Sequence, residues 1–184
     1  KLETFSYFGD DAAILETMED AIIKEAVTDT TPPIFWHYGA VAAMRLGDEQ
    51  EARLWWERAL EEEPTLDFAQ KNLDDLKKPS YERNAPWVYD LAHWISRPEI
   101  EKFILALNVK KSGGKAPSLA ESKRLLAQHP ELVERMPLML QRGDEGARRF
   151  VLQMTDFFPT EELLASVHEY ALGQDGPDSS RIEA

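Results

Sequence analysis

The chain has 184 residues, of which 43% are apolar and 30% are charged, so it can bury a substantial core beneath a solvated surface. It contains no Cys, which excludes disulfides, thiolate metal sites and cysteine nucleophiles, and no apolar run approaches the roughly 20 residues that span a bilayer. The net charge is −13, with −10 on residues 1–78 and −3 on residues 79–184, and such a field repels a phosphate backbone. We therefore expect a cytoplasmic globular protein that binds neither nucleic acid nor membrane.

Apolar side chains recur at three- and four-residue spacing along most of the chain, which is the period of an α-helix with one buried stripe. In chain order the stripes are Ile14, Met18, Ala21 and Ile22; Ala52, Trp56, Ala59 and Leu60; Ile100, Phe103, Ile104 and Leu107; Phe150, Val151, Met154 and Phe158; and Leu163, Val167, Tyr170 and Ala171. No segment alternates convincingly with period two. The pattern predicts an all-α fold without a sheet.

Cap and turn residues separate the stripes. Thr31 precedes Pro32, and Ser96 precedes Arg97 and Pro98, as N-caps with Pro in the first turn do. Pro137 should kink or split the helix that contains it. Helices should end at Gly47, Gly143 and Gly173, and a capping box is expected at Ser118 and Glu121. Segments 77–86 and 109–117 are predicted connections, and the first is taken as the boundary between domains 1–78 and 79–184.

A repeat with an offset of 38 residues occupies the N-terminal half. Gly9, Asp10, Ile14, Met18, Ala21 and Ile22 align with Gly47, Asp48, Ala52, Trp56, Ala59 and Leu60. The second copy, over residues 33–64, resembles the tetratricopeptide repeat (TPR) through Trp36, Ala40, Ala43, Leu46, Gly47, Asp48, Ala52, Trp56, Ala59, Leu60 and Pro64. The resemblance implies two antiparallel helices that touch at Ala40 and Ala52 around a wedged Trp56. It departs from the family at Ala43, where an aromatic residue is usual, and in its longer spacing.

Residues 79–184 resemble HEAT-like helical repeats, in which a Gly/Asp turn leads to an Arg-bearing helix. The residues that carry this resemblance are Gly143, Asp144, Glu145, Gly173, Asp175 and Arg181. Together the two resemblances imply a right-handed α-solenoid of antiparallel helix pairs, either as two modules or as one continuous stack. Both ends are expected to be truncated, because the first repeat lacks a preceding helix and Arg181 begins a further one. Uncapped ends of this kind would favour self-association.

The sequence shows no arrangement typical of catalysis, so we expect no catalytic residue, no metal, no cofactor and no enzymatic activity. His37, His93, His129 and His168 lack a partner at recognised metal-ligand spacing, and His129 before Pro130 is interpreted as a turn residue. Gly113, Gly114 and Lys115 lack the remaining residues of a Walker loop. The basic residues Lys110, Lys111, Lys115, Lys123 and Arg124 favour a solvated loop over an anion or RNA contact, since no aromatic residues are interleaved.

The solenoid resemblance implies a scaffold or adaptor that binds a peptide or a protein surface in a helical groove. Charge favours a neutral or basic partner. The alternative is a regulatory or targeting module of a larger polypeptide whose chemistry lies elsewhere, and a catalytic helical domain is a third hypothesis.

The predicted groove lies on the first helix of the repeat, residues 33–46, because that helix lines the concave surface in tetratricopeptide stacks. The residues predicted to contact a partner are Ile34, His37, Val41, Met44, Arg45 and Trp55. An alternative stays open, because this helix is apolar nearly all round and its stripe can instead pack on a neighbouring helix. Trp55 can likewise pack on a neighbouring repeat or on a ligand.

Overall fold

The computed structural model describes residues 1–101, 103, 124, 127–157 and 159–184. Across these residues the regular structure is helical, which confirms the predicted all-α class, and the one β-bridge joins Tyr89 to Gly143 in isolation. The chain forms two compact units, Lys1–Val88 and Tyr89–Ala184. Among the described residues, no helix combines the length and the apolar character needed to cross a membrane.

The first unit is built from five α-helices and one short 3-10 helix. Their bounds are α1 (Leu2–Phe8), α2 (Asp11–Ile23), α3 (Ile34–Arg45), α4 (Glu49–Glu62), α5 (Asp67–Asp75) and the 3-10 helix Ser80–Glu82. α3 lies at the centre, because it packs extensively on α4 and also on α2, while α5 packs on α4. Residues 79–88, which the sequence analysis placed in the second domain, belong to this unit.

The α1–α2 and α3–α4 connections are two Gly-Asp turns with the same local structure. Gly9 and Gly47 have φ of 74° and 94°, in the left-handed region that favours glycine. Asp10 and Asp48 then cap the next helix, since each carboxylate accepts a hydrogen bond from the main-chain N–H three residues later, at 3.0 and 2.9 Å. The 38-residue offset therefore holds for turn geometry as well as for residue type.

Small residues in the first unit leave room for large neighbouring side chains. Ala40, Ala52 and Trp56 are fully buried, as the sequence predicted. At Gly39 a Cβ atom would lie 2.6 Å from Cε3 of Trp55 and would also collide with the Met18 side chain, so a larger residue would force these side chains to move. Membership of the tetratricopeptide family and a solenoid arrangement stay predictions.

The second unit contains α6 (Leu91–Trp94), helical residues 97–101, α7 (Pro130–Arg142), α8 (Glu145–Phe157), α9 (Glu161–Leu172) and α10 (Asp178–Glu183). α7 packs against α8 and α9, and α10 packs on α9. The core includes the predicted stripe residues Phe150, Val151, Met154, Leu163 and Val167, together with Ala147. Arg148 is also buried, and its Nε donates a hydrogen bond to the Leu140 carbonyl at 2.9 Å, which ties α8 to α7. The HEAT-like assignment of this unit stays a prediction.

Several predicted details differ from the structure. Thr31 is not an N-cap, because its hydroxyl instead accepts the Thr28 N–H at 3.0 Å and α3 begins three residues later at Ile34. Of the two outcomes predicted for Pro137, a kink or a split, the split does not occur, because α7 runs through Pro137 as one helix. Ile22 is exposed although it was assigned to a buried stripe.

Other details agree with the sequence analysis or lie beyond the described residues. Ser96 precedes a helical segment, as expected, and Gly47, Gly143 and Gly173 follow the ends of helices. The predicted connection 109–117, its Gly-Gly-Lys sequence, the capping box at Ser118 and Glu121, and most of the basic residues between 110 and 124 lie outside the described residues.

Candidate functional site

α3 places His37 at the centre of the first unit, where its side chain is 0% exposed. The Trp56 indole N–H donates a hydrogen bond to His37 Nδ1 at 3.1 Å, and His37 Nε2 lies 3.0 Å from the Val88 carbonyl oxygen. An indole nitrogen can only donate, so Nδ1 must be the acceptor and Nε2 must carry the proton. The two contacts therefore fix a single neutral tautomer that donates to Val88.

Burial lowers the pKa of His37 from its ordinary 6.5 to about 4, and the hydrogen bond to the Val88 carbonyl offsets part of that shift. The rings of Phe68 and Trp87 lie with centroids 5.8 and 6.4 Å from the imidazole, which completes an apolar enclosure. At neutral pH His37 is uncharged and both of its nitrogens are occupied. Its role is to join α3, α4 and the segment that ends at Val88.

The segment 83–88, here named the strap, is irregular, and both hydrogen bonds to its main chain and its buried side chains hold it in place. Asn72 on α5 forms two hydrogen bonds with Trp87, accepting the main-chain N–H through Oδ1 and donating to the carbonyl through Nδ2, each at 3.1 Å. Asp75, also on α5, accepts the Ala85 N–H at 2.5 Å. With His37 on Val88, three side chains from two helices bind the strap backbone at three of its residues.

Arg83 anchors the beginning of the strap. Its guanidinium donates to the main-chain oxygens of Leu76 and Lys78, each at 2.8 Å, and to the Glu49 carboxylate on α4 at 2.8 Å. The fixed fork of the guanidinium suits such simultaneous contacts. The strap is therefore fastened at both ends as well as in the middle, and it closes the first unit over α3, α4 and α5.

The six residues predicted to contact a partner do not share one open surface. His37 and Val41 are fully buried, whereas Ile34, Met44 and Trp55 are half-buried. For His37 and Val41 the structure shows the alternative arrangement, in which the stripe packs inside the protein because α3 is apolar nearly all round.

Arg45 and Trp55, which also belong to the predicted set, contact residues within the first unit. The Arg45 guanidinium binds the Asp11 carboxylate with Nε to Oδ2 at 3.1 Å, and both side chains are largely buried. The Trp55 ring lies against the Gly39 backbone, and so it packs on α3 within its own unit. Contact of any of the six with a partner stays a prediction.

Asn72 and Asp75, which bind the main chain of the strap, were not identified from the sequence. Both are buried polar side chains on α5, next to the apolar positions Ala69, Leu73 and Leu76. Their place beside an apolar stripe is a signal that a buried polar contact exists. The identity of the contact is not encoded in residue types, because the partners are main-chain atoms that any residue can supply.

Apolar side chains remain exposed at the two Gly-Asp turns. Phe8 is 82% exposed and Leu46 is 57% exposed, and the two residues occupy equivalent positions at the 38-residue offset, each just before the turn glycine. The Arg45–Asp11 ion pair joins the end of α3 to the start of α2, which brings both turns to the same end of the unit. Phe8 and Leu46 together are here named the turn edge.

Comparison with known proteins identified no relative, since no protein-family model, no curated protein and no solved structure matches this chain. The tetratricopeptide and HEAT-like resemblances rest on the residues named above.

Proposed function

We propose that the chain is a protein–protein interaction module whose first unit binds a partner through the turn edge. The observation that supports this most directly is that one turn geometry, used twice, presents a mostly exposed apolar side chain each time, Phe8 and Leu46. The inner face of α3, where His37 and Val41 lie, is filled by the protein itself. We therefore propose the turns, and not that face of α3, as the surface that binds a partner.

The expected contribution of the turn edge is large enough to matter for affinity. Burying one large, fully exposed apolar side chain is worth about 1.5–3 kcal/mol, so the exposed parts of Phe8 and Leu46 together can supply about 2–4 kcal/mol when a partner covers both. A single exposed apolar residue is common on protein surfaces and means little. The argument depends on the repetition of position and conformation, with the Arg45–Asp11 ion pair holding the two turns together.

Charge indicates the kind of partner. Residues 1–78 carry a net charge of −10, with 8 basic and 18 acidic residues. A neutral or basic protein surface would be attracted to this unit, and its association rate should fall as the salt concentration rises. An apolar patch flanked by basic residues on the partner would complement both features of the turn edge.

Photo-crosslinking in the source cell tests the proposal and captures the partner in one step. A photoreactive amino acid would be placed at Phe8 or Leu46, with Leu54 on α4 and Leu172 on α9 as equally exposed apolar control positions. We expect one protein to be crosslinked from both turn positions and from neither control. Crosslinking of that protein from the controls alone would place the binding surface elsewhere.

The crosslinked partner is then measured with purified components. Phe8→Glu and Leu46→Glu should each weaken binding at least tenfold, because each places an unpaired charge in an apolar contact, whereas Leu54→Glu should leave the affinity unchanged. Unchanged affinity in both turn-edge variants would refute the proposal. Circular dichroism of each variant verifies that the helices are retained.

A further inference from the structure

Three side chains with metal-binding groups converge in the second unit. Glu99 lies in the helical segment 97–101, His129 immediately precedes α7, and Glu131 lies in its first turn. His129 Nδ1 lies 3.5 Å from Glu99 Oε1 and 3.4 Å from Glu131 Oε1. The three atoms all lie within 4.8 Å of one another.

The two separations from His129 are compatible with ligands that share an ion. They exceed the 2.7–3.2 Å of ordinary N–H···O hydrogen bonds, although both lie within the range of an ion pair. Two ligands on a tetrahedral Zn²⁺, with bonds of about 2.0–2.1 Å, lie about 3.4 Å apart. Both distances from His129 Nδ1 therefore match the spacing around one such ion.

Neighbouring groups hold two of the three ligands in place. Glu99 Oε2 accepts hydrogen bonds from the Ser96 N–H at 3.2 Å and from the Ser96 hydroxyl at 2.5 Å, while Oε1 is the oxygen nearest His129. The His129 ring packs edge-on against the buried Phe103 ring, with centroids 5.6 Å apart. Hydrogen bonding and packing of this kind orient the ligands of protein metal sites.

Charge and ligand type indicate the class of ion. Two carboxylates and one neutral imidazole carry two negative charges, which a divalent cation neutralises. An imidazole ligand favours transition ions over Ca²⁺ and Mg²⁺, which take oxygen ligands. We infer that Glu99, His129 and Glu131 bind a divalent transition ion of the Zn²⁺ class, leaving the remaining coordination to water or a further ligand.

This inference is independent of the proposed turn-edge function, and it reverses the sequence-based expectation of no metal. An ion at this position would fasten the helical segment 97–101 to the beginning of α7. The contrasting explanation is that the three groups serve helix ends alone, with Glu99 as the capping partner of Ser96 and Glu131 as a first-turn acid. The two explanations differ in whether the full chain takes up an ion.

Zn²⁺ binding to the tag-free full chain, freed of metal by a chelator, distinguishes them. Equilibrium dialysis should give one Zn²⁺ per chain, and Co²⁺ used as a spectroscopic probe should show the visible absorption of a low-coordinate site. His129→Ala and Glu131→Gln should each lower the affinity at least tenfold. His168→Ala and Glu134→Gln are matched controls, since both residues are exposed in the same unit, and neither should change the affinity.

Thermal unfolding supplies the second measurement. Zn²⁺ should raise the Tm of the wild-type chain and of both controls, but not that of His129→Ala or Glu131→Gln. Less than one equivalent of bound Zn²⁺, or equal affinity in His129→Ala and the wild type, would overturn the inference. Variants that lower the Tm equally with and without Zn²⁺, in a chain that binds none, would establish the helix-capping explanation instead.

Discussion

Acid should destabilise the first unit through His37. Its pKa is about 4 in the folded protein and 6.5 when exposed, so the unfolded chain takes up a proton first as the pH falls. The stability that depends on neutral His37 is therefore fully present above about pH 7, and it is lost as the pH falls from 6.5 to about 4. With 1.36 kcal/mol for each pH unit, the total loss is about 3 kcal/mol, and about 2 kcal/mol is already lost at pH 5.

The contribution of His37 can be separated from that of the carboxylates by comparison with His37→Leu. At pH 7.5 this variant should be less stable by about 2–6 kcal/mol, because the Trp56 N–H and the Val88 carbonyl each lose a buried partner. At pH 5 the difference should shrink by about 2 kcal/mol, since only the wild type bears the cost of keeping His37 neutral. His168→Leu, at an exposed histidine, is the control.

Urea unfolding at pH 7.5 and 5, followed by Trp fluorescence, measures this difference. Four of the five Trp residues lie in residues 1–88, so the signal reports mainly on the first unit. A stability difference between wild type and His37→Leu that is the same at both pH values would refute the reasoning. It would mean that His37 is protonated as readily inside the protein as outside.

Three further substitutions test packing and the strap, each measured by urea unfolding. Trp56→Ala should cost at least about 3–5 kcal/mol, because it leaves a cavity in the centre of the unit, and an unchanged midpoint would contradict the burial described here. Gly39→Ala should cost about 1–3 kcal/mol through overlap with its neighbours, whereas Gly146→Ala, whose nearest obstacle is a side-chain oxygen 3.3 Å away, should change stability by less than about 1 kcal/mol. Asn72→Ala should cost about 2–4 kcal/mol, because both main-chain groups of one strap residue lose their partner. Gln70→Ala, at an exposed position on the same helix, should stay within about 0.5 kcal/mol, and equal effects at the two positions would rule out a fastened strap.

The helices were predictable because burial imposes a period on the sequence. Ile14, Met18 and Trp56 were predicted to be buried and are. Ile22 fits the same period but is exposed, because the width of a buried stripe depends on how closely neighbouring helices cover it. The spacing of apolar residues can be read from one segment, whereas the burial of each residue depends on helices that are distant in sequence.

The candidate site was less predictable, for two physical reasons. The stripe of α3 that carries His37 and Val41 was predicted to contact a partner, with packing inside the protein as the alternative, and both residues are buried. The strap that covers His37 forms its hydrogen bonds through main-chain atoms, which any residue type supplies. Glu99 and His129 are 30 residues apart and meet only through tertiary packing, so local spacing gives no indication of them. A buried Asn beside an apolar stripe was the one available signal.

The strap binds α3, α4 and α5 as an intramolecular ligand. The link between α5 and the strap, residues 77–82, is exposed along its whole length, and it serves as a tether that keeps the local concentration of the strap high. A single proteolytic nick at Tyr81 would turn this intramolecular contact into a bimolecular one. The two fragments should then remain associated at high concentration and separate on dilution, so a split form of this protein would reassemble through the same bonds that now close its first unit.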